Sequence, residues 1–338
     1  MKKLFGTLAS GEQVSLYTLQ CGAIKAELTE LGATLVRLWV PDKNGKLDDV
    51  VLGYDDPKEY VSNDGFLGTV VGRNANRIKN SAFVMGSKTY ALTPNEKTHN
   101  LHSGPDCFHK RIWEVLSYDE TSICFGLESP HGDQGFPGKA SIRVTYALEP
   151  GGVLSITYDA VSDRDTVFNF TNHSYFNLAG HQNPGKAMDQ VLCLSGRFFN
   201  PDDAENIPTG ELRSVENTPM DFRTPKPIGR DIDCDYEPLL LQGGYDHNYE
   251  VFASPCAYLS DPASGRTMAV ITDCPGIQFY SGNYLKNAGK DGVYYTKRGG
   301  ICLETQLYPD SVNHPEWPQP FTKAGQPYHS QTKYVFEY

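Results

Sequence analysis

Ser141-Ile142-Arg143-Val144-Thr145-Tyr146-Ala147-Leu148 runs into Glu149-Pro150-Gly151-Gly152 and out through Val153-Leu154-Ser155-Ile156-Thr157-Tyr158-Asp159-Ala160. Apolar residues recur at every second position on both sides of the turn signal. Successive side chains on a strand point to opposite faces, so Ile142, Val144, Tyr146 and Leu148 share one face and Arg143 and Thr145 the other. A Pro-Gly-Gly break between two such runs predicts an antiparallel hairpin with one face buried.

The same period extends outward in both directions. Strands are expected at Val14–Thr18, Ile24–Leu28, Ala33–Val40, Asp49–Gly53, Ser81–Ala91, Ile112–Ser117 and Ser122–Leu127, and again at Val191–Leu194, Tyr249–Val251, Met268–Thr272 and Ile277–Tyr280. Gly, Pro, Asn and Asp cluster between them. No long segment keeps a 3.6-residue period, and short helices are expected only near Asp56–Val61 and in the connections. Many strands, dense turns and few helices indicate an all-β sandwich or barrel. There is no low-complexity linker and no fixed-period repeat. The informative polar clusters run from Asn76 to Glu304, which predicts a single domain over 1–338.

Composition narrows the setting. The 338 residues carry a formal net charge of −11, which disfavours nucleic acid and anionic membrane surfaces as partners. Aromatic residues make up 12%, suiting strands and also a site that stacks rings on sugars. Lys2 and Lys3 are followed by Gly6, Ser10 and Gly11 rather than a secretory or membrane-spanning run. The eight cysteines show no C-x-x-C spacing, so reduced, buried thiols are expected rather than disulfides or a zinc site. Two sequons, Asn169-Phe170-Thr171 and Asn172-His173-Ser174, fall in a segment expected to be buried or catalytic. Both observations favour a cytoplasmic location.

Chemistry concentrates in Thr171-Asn172-His173-Ser174-Tyr175-Phe176-Asn177-Leu178, which continues the strand-like run Thr166–Phe170. Alternation puts His173 with Thr171 and Asn169, and Phe168 and Phe170 on the opposite, core face. In Gly300–Gln306, Ile301 and Leu303 face one way and Glu304 and Gln306 the other. A His and a Glu on polar faces of two strands suggest a general acid and a general base. Arg77, in Gly72-Arg73-Asn74-Ala75-Asn76-Arg77-Ile78, could fork to a hydroxyl or carboxylate, or be a surface arginine. His99 and His102 in Thr98–Gly104 are a weak metal signal. They suit hydrogen bonding to a polar ligand or a structural role better. Asp246 follows two glycines and is either a ligand carboxylate or a turn cap. Gln278, opposite Phe279, is either an amide for a hydroxyl-rich ligand or ordinary sheet polarity. The G-x-S-x-G, G-x-x-x-x-G-K-[ST] and G-x-G-x-x-G patterns are absent, which removes most support for serine hydrolase, phosphotransfer and dinucleotide redox chemistry.

Taken together, the segments resemble the aldose 1-epimerase (galactose mutarotase) family. The matching stretches are G-R-N-A-N-R-I at 72–78, N-L-H-S-G at 100–104, G-D-Q-G-F-P-G at 132–138 and T-N-H-S-Y-F-N-L-A-G at 171–180. They continue with I-P-T-G-E at 207–211, G-Y-D-H-N at 244–248, G-I-Q-F-Y-S-G-N at 276–283 and L-E-T-Q at 303–306. The resemblance implies a large antiparallel β-sandwich with an open cleft on one sheet. It implies Glu304 as catalytic base, His173 as catalytic acid, and Asn76, Arg77, His102, Asp246 and Gln278 as substrate-binding residues. The implied reaction interconverts the α and β anomers of free hexoses such as galactose and glucose, with no cofactor or metal. The carboxylate of Glu304 is expected to keep His173 protonated near neutrality. The expected partner is a small aldose alone, with a monomer as the default and a dimer as the alternative. A glycoside hydrolase using Asp246 and Glu304, a non-catalytic sugar-binding sandwich, and an enzyme of hexose 6-phosphates are the competing readings.

Overall fold

The computed structural model describes residues 1–62 and 65–338. The hairpin predicted at 141–160 is present as Ala140–Glu149 paired with Val153–Ser162 in unbroken antiparallel register, Ile142 opposite Ala160 and Tyr146 opposite Ile156. It lies inside a nine-stranded sheet that also holds Glu114–Tyr118, Ser122–Ser129, Tyr328–Glu337, Thr267–Thr272, Ala257–Ser260, Val191–Leu194 and Lys226–Pro227. A six-stranded sheet contains Tyr175–Phe176, Ile301–Gln306, Gly276–Tyr280, Asp246–Glu250, Phe198–Phe199 and Arg213–Ser214 in that order. A five-stranded sheet is built from the first 49 residues, ending at Leu47–Asp49.

One apolar cluster joins the three sheets. Ile142, Val144, Tyr146 and Ile156 of the nine-stranded sheet meet Ile277, Phe279, Ile301 and Leu303 of the six-stranded sheet and Leu19, Ala26 and Leu28 of the five-stranded one. The period of two is what makes this packing possible, because each strand gives alternate side chains to the shared interior. Removing a side chain such as Phe279, fully buried here, typically costs about 3–5 kcal/mol. The fold is the expected all-β sandwich, with two short α-helices, Pro57–Ser62 and Glu237–Gln242, among the described residues.

Several boundaries differ from expectation. Ser81–Ala91 is a small hairpin, Ala82–Met85 with Lys88–Ala91, because Gly86 takes the left-handed φ of 64° that a tight turn needs. Beyond Asp49, the expected strand Asp49–Gly53 gives way to an isolated bridge between Val51 and Phe176. The larger correction concerns residues 166–178, which do not form one strand. Thr166–Val167 pairs with Phe321–Thr322, Thr171–Asn172 with Val70–Val71, and Tyr175–Phe176 with Ile301–Cys302. The segment crosses between three partners, so simple alternation does not set the direction of His173. Phe168 and Phe170 nevertheless enter the core, as the pattern required.

Candidate active site

Three side chains of the site come from neighbouring strands of the six-stranded sheet. Gln278 lies directly opposite Glu304, and Asp246 opposite Tyr280. Since Ile277, Phe279, Ile301 and Leu303 are committed to the core, Gln278, Tyr280, Cys302 and Glu304 must project from the other face. Loops supply the rest. All seven residues expected from the sequence, Asn76, Arg77, His102, His173, Asp246, Gln278 and Glu304, line one cavity of about 750 Å³.

His173 Nε2 stands 3.7 Å from Glu304 Oε1, with both side chains nearly inaccessible. Main-chain bonds hold the histidine, its N–H donating to Thr69 and its carbonyl accepting from Gly68. Tyr175 and Phe66 both stack on the imidazole, with centroids 5.1 and 5.7 Å away. The second carboxylate oxygen of Glu304 is buried and has no hydrogen-bond partner among the described residues. Such an atom costs on the order of 1–3 kcal/mol unless a donor reaches it, and on the wall of the cavity it is open to a ligand's hydroxyl.

Burial changes the expected protonation. It drives the His173 imidazole down to about 4. It pushes the Glu304 carboxyl well up, reinforced by the charge of Asp246 and opposed by that of Arg77. The expectation of a histidine kept protonated near neutrality therefore does not hold. Desolvation of a full charge outweighs the attraction of one nearby carboxylate. Burial thus favours the neutral arrangement, with the proton on Glu304 rather than on His173.

The residues expected to bind the ligand are themselves held in place. Arg77 donates from Nε and Nη2 to the two oxygens of Glu96 at 2.6 and 3.0 Å, a fork that fixes the plane of the guanidinium. The Asn76 main-chain N–H donates to His102 Nδ1 at 3.1 Å. With Nδ1 accepting and burial holding the ring neutral, the proton of His102 sits on Nε2 and is available as a donor. Gln306 donates to Gln278 at 3.3 Å, and Gln278 donates to Asp246 at 2.8 Å. That relay aims the carboxylate of Asp246 as well as placing the Gln278 amide at the cavity. His99 takes no part: its Nδ1 accepts from the main chain of Asn80 and its Nε2 lies near Glu205.

Sequence reasoning missed Glu96, Phe66, Tyr280 and Tyr284, all of which line the cavity. Tyr280 had a signal, since it alternates with Phe279 as Gln278 does. Glu96 and Phe66 had none, because each reaches the site from a loop. His173, Cys302 and Glu304 bring ligand-type atoms within 4.8 Å of one another. Burial holds the Cys302 sulfur as a neutral thiol, so the three make a poor ligand set for a cation, which needs the thiolate.

A buried proton-sharing pair, a carboxylate oxygen awaiting a donor, and an arginine, a histidine and an aspartate around one polar cleft define an acid–base enzyme site for a hydroxyl-rich ligand on a β-sandwich. Comparison with known proteins gives the family. The aldose 1-epimerase family profile matches residues 15–335. The galactose mutarotase of Sus scrofa is 39% identical over 99% of this chain and 98% of its own length. The aldose 1-epimerase of Escherichia coli (strain K12) is 36% identical over 96% of each chain. The crystal structure of a GalM/aldose epimerase homologue from C. elegans superposes with a TM-score of 0.90 at 32% identity, covering 96% of this chain and 99% of that one. The chain belongs to the aldose 1-epimerase family.

Proposed function

We propose that this protein is an isomerase that interconverts the α and β anomers of free hexoses, galactose and glucose among them, and so serves galactose and hexose metabolism. The observation that carries the mechanism is the His173–Glu304 pair beside a buried, unpartnered carboxylate oxygen. The family membership supports the reaction, and neither the hydrolase nor the non-catalytic reading gains support from relatives of such high coverage.

A cyclic aldose is a hemiacetal. Opening it removes the proton of the C1 hydroxyl and adds one to the ring oxygen. Glu304 as carboxylate takes the first proton and His173 as imidazolium gives the second. The aldehyde turns about C1–C2, and closure on its other face runs both transfers in reverse. The pair holds one proton throughout. With a ring bound, hydroxyl donors on the Glu304 carboxylate favour the ionic arrangement. In the open-chain state the proton lies on Glu304 and His173 is neutral, which is the arrangement burial already prefers. The site is thus predisposed toward the half-way species of the reaction.

Asn76, Arg77, His102, Asp246 and Gln278 are proposed to hold the remaining hydroxyls while C1 turns. Their proximity to the pair in one cavity supports this. The chain is proposed to work as one unit over 1–338, since site residues from 76 to 304 draw on the six-stranded sheet and on connections from distant parts of the chain. The proposed partner is the free sugar alone, with the protein acting as a monomer. A cytoplasmic setting is supported by eight free cysteines, and no helix among the described residues is long and apolar enough to cross a membrane. Polarimetry of freshly dissolved α-D-galactose tests the reading: the protein is expected to speed the approach to anomeric equilibrium, and an unchanged rate overturns it.

A further inference from the structure

Phe66 holds a φ of 55°, in the left-handed region that a bulky side chain rarely takes. Such outliers gather at functional sites, and the turn that Phe66 opens is part of this one. Thr69 donates to the Phe66 carbonyl from both its main-chain N–H and its hydroxyl, each at 3.1 Å. The same turn grips His173, whose N–H donates to the Thr69 carbonyl and whose carbonyl accepts from Gly68, both at 2.9 Å. Only glycine suits position 68, where φ is 72° and a Cβ would lie 2.1 Å from the Leu35 carbonyl oxygen. One turn therefore fixes the main chain of His173 and lays the Phe66 ring on its imidazole, with planes 24° from parallel. Phe66 also lines the cavity, and the buried imidazoles of His102 and His109 pack edge-on against its ring, with centroids at 4.7 and 4.6 Å.

We propose that Phe66 is a positioning residue whose ring shields the imidazole of His173 from the water of the cavity. Glu304 and Cys302 face that imidazole from one strand, 3.7 Å from Nε2 and 3.5 Å from Nδ1. Tyr175 stacks on it, and Tyr280 and His102 meet it edge-on. Burial keeps the thiol, both phenols and His102 neutral. Glu304 is then the neighbour that can balance an imidazolium, and the charges of Asp246 and Arg77 act on the pair through it. With water kept out, a charged pair of His173 and Glu304 has little besides itself for solvation, and the neutral pair is preferred. With water admitted, both ions are solvated and the proton passes from Glu304 to His173 Nε2. The consequence is catalytic. The bound ring works with the charged pair, and the open-chain state with the neutral one. A dry imidazole favours opening relative to the bound ring, and a wet one holds the site at the ring.

This inference rests on reading His173 as a proton carrier, and the two can fail separately. The probe is ¹⁵N NMR of the histidine-labelled protein, combined with polarimetry on α-D-galactose. The His173 signals are assigned by their loss in His173→Asn. The main variant is Phe66→Asn, because asparagine accepts a left-handed φ and removes the apolar ring. Spectra are taken near pH 6, between the value of about 4 that burial gives His173 and the ordinary value of about 6.5. Wild-type His173 is expected to be neutral there. Phe66→Asn should turn it largely into the imidazolium and lower kcat about tenfold, the worth of one pKa unit in the balance between the two arrangements. KM should change less than kcat. Phe66→Leu, which keeps an apolar cover, should keep the neutral ring and recover much of the rate. A His173 that stays neutral in Phe66→Asn, or is already the imidazolium in the wild type, overturns the proposal even if His173→Asn abolishes turnover. Full activity of His173→Asn would instead remove the proton-carrier reading itself. If Phe66→Asn does not fold, Phe66→Gly, which suits the same φ, decides by the same comparison.

Discussion

His173 and Glu304 face each other across 3.7 Å in a site where both are almost wholly buried, close enough for the protonation of each to depend on that of the other. A pair of this kind has two macroscopic steps, and neither belongs to one residue alone.

Removing either member should stop the exchange and leave the fold. Glu304→Gln keeps the shape of the side chain and His173→Asn keeps a polar group, but neither can carry the proton. Polarimetry should show turnover reduced by about 10²–10⁴-fold for each, with far-ultraviolet circular dichroism unchanged. Near-wild-type rates for Glu304→Gln would contradict the assignment.

The pH–rate profile follows from the same pair. Burial lowers His173 to about 4 and raises Glu304. Below the lower step the pair gains a second proton and has no base. Above the upper step it loses its only proton and has no acid. The acid limb of kcat/KM should therefore lie well below the usual histidine value of about 6.5. A limb at that ordinary value would show that Glu304, not burial, governs the ring.

Stability should move opposite to activity at Glu304. Its carboxyl is raised on folding, so below the ordinary carboxylate value the group is protonated in both states and costs nothing. As pH rises, the unfolded chain ionises freely while the buried group resists, and folding stability falls until the folded-state value is passed. Glu304→Gln removes that penalty. Calorimetry should show Tm of the variant above wild type at pH 8 to 9, by no more than about 2–4 °C per kcal/mol, the figure for chains shorter than this one, with the gap closing toward pH 4. A constant gap across pH would mean the effect is packing rather than charge.

Glu96 should act on binding through Arg77. The fork from Nε and Nη2 to its two oxygens fixes the guanidinium at the cavity wall. Glu96→Gln should raise KM for galactose about tenfold, the worth of one charge-assisted bond, while kcat stays within about twofold. A fall in kcat alone would place Glu96 with the proton carriers instead.

Much of this architecture could be read from alternation. The hairpin at 141–160 and the strands carrying Gln278 and Glu304 follow from period two, whereas Asp246 read as following a turn, ahead of a strand expected only from Tyr249, and the strand in fact runs Asp246–Glu250. The directions of Gln278 and Glu304 follow from the core commitments of Phe279 and Leu303. His173 was visible as chemistry but not as geometry, because 166–178 pairs in turn with three different strands and its direction is set by Thr69 and Gly68, a hundred residues away. Its protonation was misjudged for a related reason: sequence shows a nearby carboxylate but not how dry the pocket is. Phe66 and Glu96 were illegible because loops bring them to the site.

The strand Tyr328–Glu337 sits mid-sheet, paired with Val153–Ser162 on one side and Thr267–Thr272 on the other. During synthesis the halves of the nine-stranded sheet have no common seam until that strand has left the ribosome. The earlier strands must wait with open edges, exposed to wrong pairing. Contacts so distant in sequence also make for slow closure. Assembly of this catalyst is therefore gated by the last strand of its largest sheet to be translated, although every residue of its cavity has been made before then.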